Sequence, residues 1–222
     1  MRVLYHLWLS PPCRLARLLL AEKKVRFELK AEKIWERRPA FLRLSPAGEV
    51  PVLIESEGFA LTGVHAIAEH LEEAYKKPAL YGEGARSRAE VRRLVDWFML
   101  KFEAEAAGPL LHETIMKRYA RKGMPSEAAL RAARTNLKHH LAYIAHLLKA
   151  NPYLAGGECT AADFAASASL SALDYLGEVP WHEAGAVKGW YARLKARAAF
   201  RALLKDHVVG MPPPPHYTRI DF

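Results

Sequence analysis

Ser45-Pro46-Ala47-Gly48-Glu49-Val50-Pro51-Val52-Leu53 carries the reading of the fold. A proline that opens a strand after a glycine-containing turn is a candidate cis bond, which would present the backbone of Val50 to a ligand. Just downstream, Leu61-Thr62-Gly63-Val64-His65-Ala66-Ile67-Ala68-Glu69-His70-Leu71 has apolar residues at helical spacing, so Gly63 and Val64 fall at a helix start. Free backbone N–H groups and the positive end of the helix dipole make such a start a ready anion site. The mouth of this one lacks a polar side chain.

Upstream, Ser10-Pro11-Pro12-Cys13 lies between a strand pattern, Val3–Leu7, and a helix pattern over 11–23 with a wide apolar face. A hydroxyl or thiolate at that junction faces a helix N-terminus, which stabilises negative charge. Serine is also a common helix cap. A second strand is expected over 26–30, and a hairpin pairs 52–54 with 59–61 around Glu55-Ser56-Glu57-Gly58. Beyond a short linker the pattern is helical throughout. Thr160-Ala161-Ala162-Asp163 reads as a capping box. The chain thus divides into an α/β unit over 1–77, a linker over 78–86, an all-α unit over 87–205 and a proline-rich tail over 206–222.

Composition bounds the function. The 222 residues are 51% hydrophobic and 26% charged, ordinary for a globular protein with a sizeable core. No apolar run approaches the ~18 residues of a membrane span, and the first residues lack a signal-peptide pattern. Two cysteines, Cys13 and Cys159, are too few for a disulfide framework, so the cytoplasm is expected. A net charge of +9 favours acidic partners. No zinc-finger spacing, aromatic RNA-binding motif or basic arm accompanies it, so nucleic acid is not expected. The histidines form no metal-ligand set: His65 and His70 do not stack on one helix face, and His112-Glu113 lacks a second histidine.

In this order and spacing, Ser10–Cys13, Ser45–Leu53 and the capping box Thr160–Asp163 resemble the cytosolic glutathione S-transferase family over nearly the whole chain. The resemblance implies a thioredoxin-like first domain and an all-helical second one. Ser10 would then be the glutathione-activating hydroxyl, with Cys13 one turn beyond, and Val50 would pair with the cysteinyl backbone of glutathione through cis-Pro51. Positions 63 and 64 are normally Glu-Ser, which hold the γ-glutamyl group. Here both contacts are gone, and two charge-assisted hydrogen bonds of roughly 1.5–3 kcal/mol each are lost.

That degenerate site, the Trp35 segment and the ending Met211-Pro212-Pro213-Pro214-Pro215-His216-Tyr217…Asp221-Phe222 resemble, within the family, the FzlA group of alphaproteobacterial division proteins. The resemblance implies a cytoplasmic homodimer at the division site that binds FtsZ filaments and bends or bundles them, without a cofactor. The alternative is a glutathione transferase, or a glutathione-dependent lyase or isomerase, using Ser10 or Cys13.

The residues suggest where such a partner would dock. Arg193, Arg197, Arg201 and Lys205 recur every four residues, each step rotating ~40°, which predicts a slowly drifting basic stripe along the last helix. The stripe is either a solvated face or a surface for an acidic polymer. The prolines of the tail force an extended segment, which either packs over the domain junction or presents Tyr217, Asp221 and Phe222 to another chain. Trp35, in an otherwise polar run, is either packed on the domain body or an exposed anchor.

Overall fold

The structure, a computed structural model, describes residues 1–120 and 123–220. Its first domain is built from β1 (Arg2–His6), α1 (Pro11–Glu22), β2 (Phe27–Ala31), a short α2 (Pro39–Leu42), β3 (Val52–Ile54), β4 (Ala60–Thr62) and α3 (Val64–Ala74). The four strands form one mixed sheet in the order β2-β1-β3-β4. β1 pairs parallel with β2 and antiparallel with β3, and β3 pairs antiparallel with β4. This is the thioredoxin-like arrangement expected of the first domain. The Val50–Pro51 bond is cis, and so is Lys77–Pro78, which the sequence reading did not single out.

The second domain is helical. A continuous helical rod begins as α4 (Ala85–Asp96), passes through π-helical turns at Trp97–Lys101 and Glu103–Ala107, and continues as α5 (Gly108–Leu111). A third π turn, His112–Met116, leads into α6 (Lys117–Ala120). Gly108 permits the backbone approach that closes the second π turn, because a Cβ there would sit 2.7 Å from the carbonyl oxygen of Glu103. Then follow α7 (Glu127–Leu147), α8 (Ala161–Tyr175), α9 (Gly185–Lys195) and α10 (Ala198–Arg201).

Every residue of α8 is buried, which makes it the axis of the molecule. Its start is fixed by the expected capping box: the Thr160 N–H donates to the Asp163 carboxylate at 2.9 Å. α1 lies between the sheet and α8, and one hydrophobic core runs from Leu4 and Leu53 through Leu18 to Phe164. Residues 13–20 of α1 are therefore buried all round, including Arg14 and Arg17. The linker is pinned as well. Glu72 accepts the N–H groups of Leu80 at 3.2 Å and Tyr81 at 3.3 Å, and pairs with Lys23 at 2.8 Å.

The structure departs from two expectations. Arg193, Arg197, Arg201 and Lys205 do not lie on one helix. α9 ends at Lys195, Arg197 caps α10 in an extended conformation (φ −65°, ψ 143°), and Lys205 falls in a 3₁₀ turn. The regular stripe is thereby broken, because the four-residue spacing holds only while the helix continues. The tail also differs. Tyr217 is not presented outward but fully buried, its hydroxyl donating to the Leu203 carbonyl at 3.0 Å and accepting from Arg14 at 3.1 Å. Asp221 and Phe222 lie outside the described residues.

Candidate functional site

A cavity of 870 Å³ lies between the β1–α1 junction and the helical domain. Ser10 and Val50 reach it from the first domain, Glu103 and Ile115 from the helical rod, and His207 to Val209 from the C-terminal segment. The volume is that of a small-molecule pocket.

Ser10 is the N-cap of α1 in extended conformation, and its Oγ accepts the Cys13 N–H at a long 3.5 Å. Pro11 and Pro12 occupy first-turn positions, where the missing N–H is harmless. The hydroxyl thus stands at the positive end of a buried helix and in the cavity wall, half-exposed.

Cys13 points the other way. It is fully buried, its Sγ accepts the Leu7 N–H at 3.5 Å, and burial pushes the thiol up to about 11. It is absent from the cavity lining. A thiol that stays protonated and away from the pocket is no nucleophile at neutral pH, which removes Cys13 from the candidate catalytic residues.

At the start of α3 the two unusual positions divide. Val64 is buried and joins the core. Gly63 caps the helix at φ +83° with no side-chain contact, and its N–H donates to the Pro51 carbonyl at 3.1 Å. A Cβ at Gly63 would meet no atom within 4 Å, so space is open there, although the backbone conformation is one that L residues rarely adopt. The helix mouth offers backbone N–H groups and nothing else. Neither Gly63 nor Val64 supplies a polar side chain there, whereas Val50 and Ser10 both line the cavity.

Trp35 is half-buried in a 3₁₀ turn (Ile34–Glu36) at the cavity. Its indole stacks on the exposed Tyr119 ring of α6, with centroids 5.3 Å apart and planes within 2°. The pair bridges the two domains. Arg118 beside it donates to the Gly210 carbonyl at 3.4 Å, and Val209 next to that is 86% exposed. An aromatic and apolar rim with basic neighbours therefore lines the cleft mouth.

The remaining predicted partner residues scatter. Arg193 donates to the Pro152 carbonyl at 2.7 Å, and Arg197 is tied to Glu22 through its Nε at 3.3 Å. Arg201 and Lys205 are exposed. Among the described residues, no three His, Cys, Asp or Glu side chains group as metal ligands would.

Sequence reasoning missed Tyr119 and Glu103. Glu103 lines the cavity, its Oε2 is buried without a hydrogen-bond partner, and burial pushes its carboxyl up to about 7. Nothing local distinguishes it from Glu105, which pairs with Lys101 one turn back on the surface. Tertiary packing separates the two: Glu105 faces α7, where its Oε2 meets His140 at 3.1 Å, and Glu103 faces the cavity.

The glutathione S-transferase N-terminal domain model matches residues 4–105, and the C-terminal domain model matches residues 107–198. FtsZ-localized protein A of Caulobacter vibrioides is 44% identical over 224 aligned positions, covering 100% of this chain and 98% of that protein. The solved structure of FzlA from C. crescentus superposes with a TM-score of 0.97 at 44% identity, covering 100% of this chain and 99% of that one. A structure described as a glutathione S-transferase from Rhodospirillum rubrum F11 does so with a TM-score of 0.96 at 45% identity, with both chains fully covered.

Proposed function

The chain belongs to the glutathione S-transferase family through both of its domains, and on that footing we propose that it is a non-catalytic, FtsZ-associating member of that family. In this reading it acts as a homodimer at the division site and sets filament curvature or bundling. The observation that carries the reading is the full-length similarity to FtsZ-localized protein A. The unfilled mouth of α3 supports it, because a buried valine and a glycine cannot anchor the γ-glutamyl group. A two-fold dimer would offer the same surface twice to one polymer, adding avidity and imposing geometry. Among the described residues no helix is long and apolar enough to cross a membrane.

The Trp35–Tyr119 stack at the cleft mouth is the proposed anchor for that partner, since large aromatics with arginine neighbours dominate protein interfaces. Co-sedimentation with polymerised FtsZ tests the proposal beside calorimetry with glutathione. The protein should pellet with filaments and show no sub-millimolar glutathione binding. Trp35→Ala should weaken pelleting about tenfold, the loss of roughly one hot-spot contact. Tight glutathione binding without filament association would overturn the reading.

One observation favours a second reading. Ser10 retains both its place at the start of α1 and its access to the cavity, and a structure described as a glutathione S-transferase is 45% identical. A transferase using Ser10 would lose turnover in Ser10→Ala, whereas the filament-binding protein would keep its partner.

A further inference from the structure

The inner wall of the cavity carries a carboxylate with nothing to bind. Glu103 opens a π turn of the helical rod (Glu103–Ala107), and its side chain lines the cavity. Among the described residues its carboxylate accepts no hydrogen bond and makes no ion pair, and Oε2 is shielded from solvent. Such orphaned acids are costly, and proteins seldom keep them without a proton or a bound cation to neutralise them. Burial is what raises the carboxyl to about 7, and among the described residues no cation or donor offsets it.

The positive groups nearby are already engaged or lie outward. Arg14 and Arg17 converge on Asp206, Lys33 pairs with Glu36 at 3.2 Å, and His112 and His207 are exposed. Around the acid the walls are apolar and aromatic: Trp8, Leu111 and Ile115 inside, with Trp35 and Tyr119 at the mouth. Aromatic faces attract cations, and a low-dielectric wall strengthens an ion pair.

We propose that this cavity binds a small amphiphilic amine, its ammonium group on the Glu103 carboxylate and its apolar body against the Trp8 and Ile115 walls. The ligand class is set by the site: an anionic or neutral body of the same shape leaves the acid unpaired. The proposal stands whether or not the protein meets FtsZ, since it uses the cavity interior rather than its rim.

Three naphthalene probes of matched shape test it by calorimetry in mildly alkaline buffer: 1-naphthylmethylamine, 1-naphthalenemethanol and 1-naphthoate. The amine should bind about tenfold or more tighter than the alcohol, and the naphthoate weakest, as a charge-assisted hydrogen bond predicts. Glu103→Gln should erase that preference, and Glu103→Asp should retain part of it. Indole N–H resonances should shift for Trp8 on addition of the amine. The ranking of probes on the unmodified protein needs no variant, so a misfolded Glu103→Gln leaves the test intact. Equal affinity for amine and alcohol, no binding of the amine, or an unchanged preference in folded Glu103→Gln would each overturn the proposal.

Discussion

At the residue scale, burial sets the chemistry of two ionisable groups in opposite senses. Glu103 has a folded-state value of about 7 against an ordinary 4.5. The folded state therefore holds the proton more tightly, so its favourable contribution is complete below pH 4.5 and is lost as pH rises through about 7. Glu103→Gln carries no such group. Its stability relative to the parent should rise across that window by up to about 3 kcal/mol, read from urea melts at several pH values. His6 works the other way. It is fully buried and burial lowers it to about 4, with Arg17 adding repulsion that a Leu7 backbone contact only partly offsets. Its contribution is present above pH 6.5 and lost as pH falls towards 4. Comparing parent and Glu103→Gln at each pH cancels the histidine and isolates the acid. A flat difference would show that the carboxyl is not buried as described.

At the element scale, α1 shows what a local pattern can and cannot specify. Ser10, the two following prolines and the leucine spacing fix where the helix begins and which face is apolar. Its cap bond is long at 3.5 Å, so Ser10→Ala should cost only about 0.5 kcal/mol in denaturant melts and, under the proposed filament-binding role, leave pelleting with FtsZ unchanged. The depth of Arg14 and Arg17 is not local at all: they are buried because α8 covers the side of α1 that the sheet leaves open. The last helix makes the complementary point. Four basic residues at perfect helical spacing do not form one face, because the chain leaves helical geometry at Arg197. Side chains read as a docking stripe instead hold down Pro152 and Glu22.

At the scale of the whole molecule, the two domains and the C-terminal segment meet on one buried cluster. Arg17 binds Asp206 through two hydrogen bonds of 2.8 and 2.7 Å, and Arg14 reaches the same carboxylate at 3.2 Å. Arg14 also donates to Trp8 and Ser171, so the first strand–helix junction, α8 and the tail segment are locked together. Asp206→Asn would leave two buried guanidinium groups without a counter-charge. It should destabilise the protein by about 3–5 kcal/mol in urea melts, with an unchanged denaturant slope. A loss below about 1 kcal/mol would mean the cluster is hydrated and contributes little.

The motifs around Ser10, Pro51, Gly63 and Thr160 are local and carry their own geometry in their residue types. Caps, turns and periodicity act over a few residues, so the sequence by itself determined the α/β and all-α units and, through the family resemblance these motifs carry, the transferase fold and the apolar mouth of α3. Tertiary structure decided the rest. It withdrew Cys13 and Tyr217 into the interior, brought Trp35 onto Tyr119 from the other domain, and turned Glu103 rather than Glu105 into the cavity. Burial and partnership of these side chains depend on surfaces contributed by segments far apart in the chain. No local spacing encodes them.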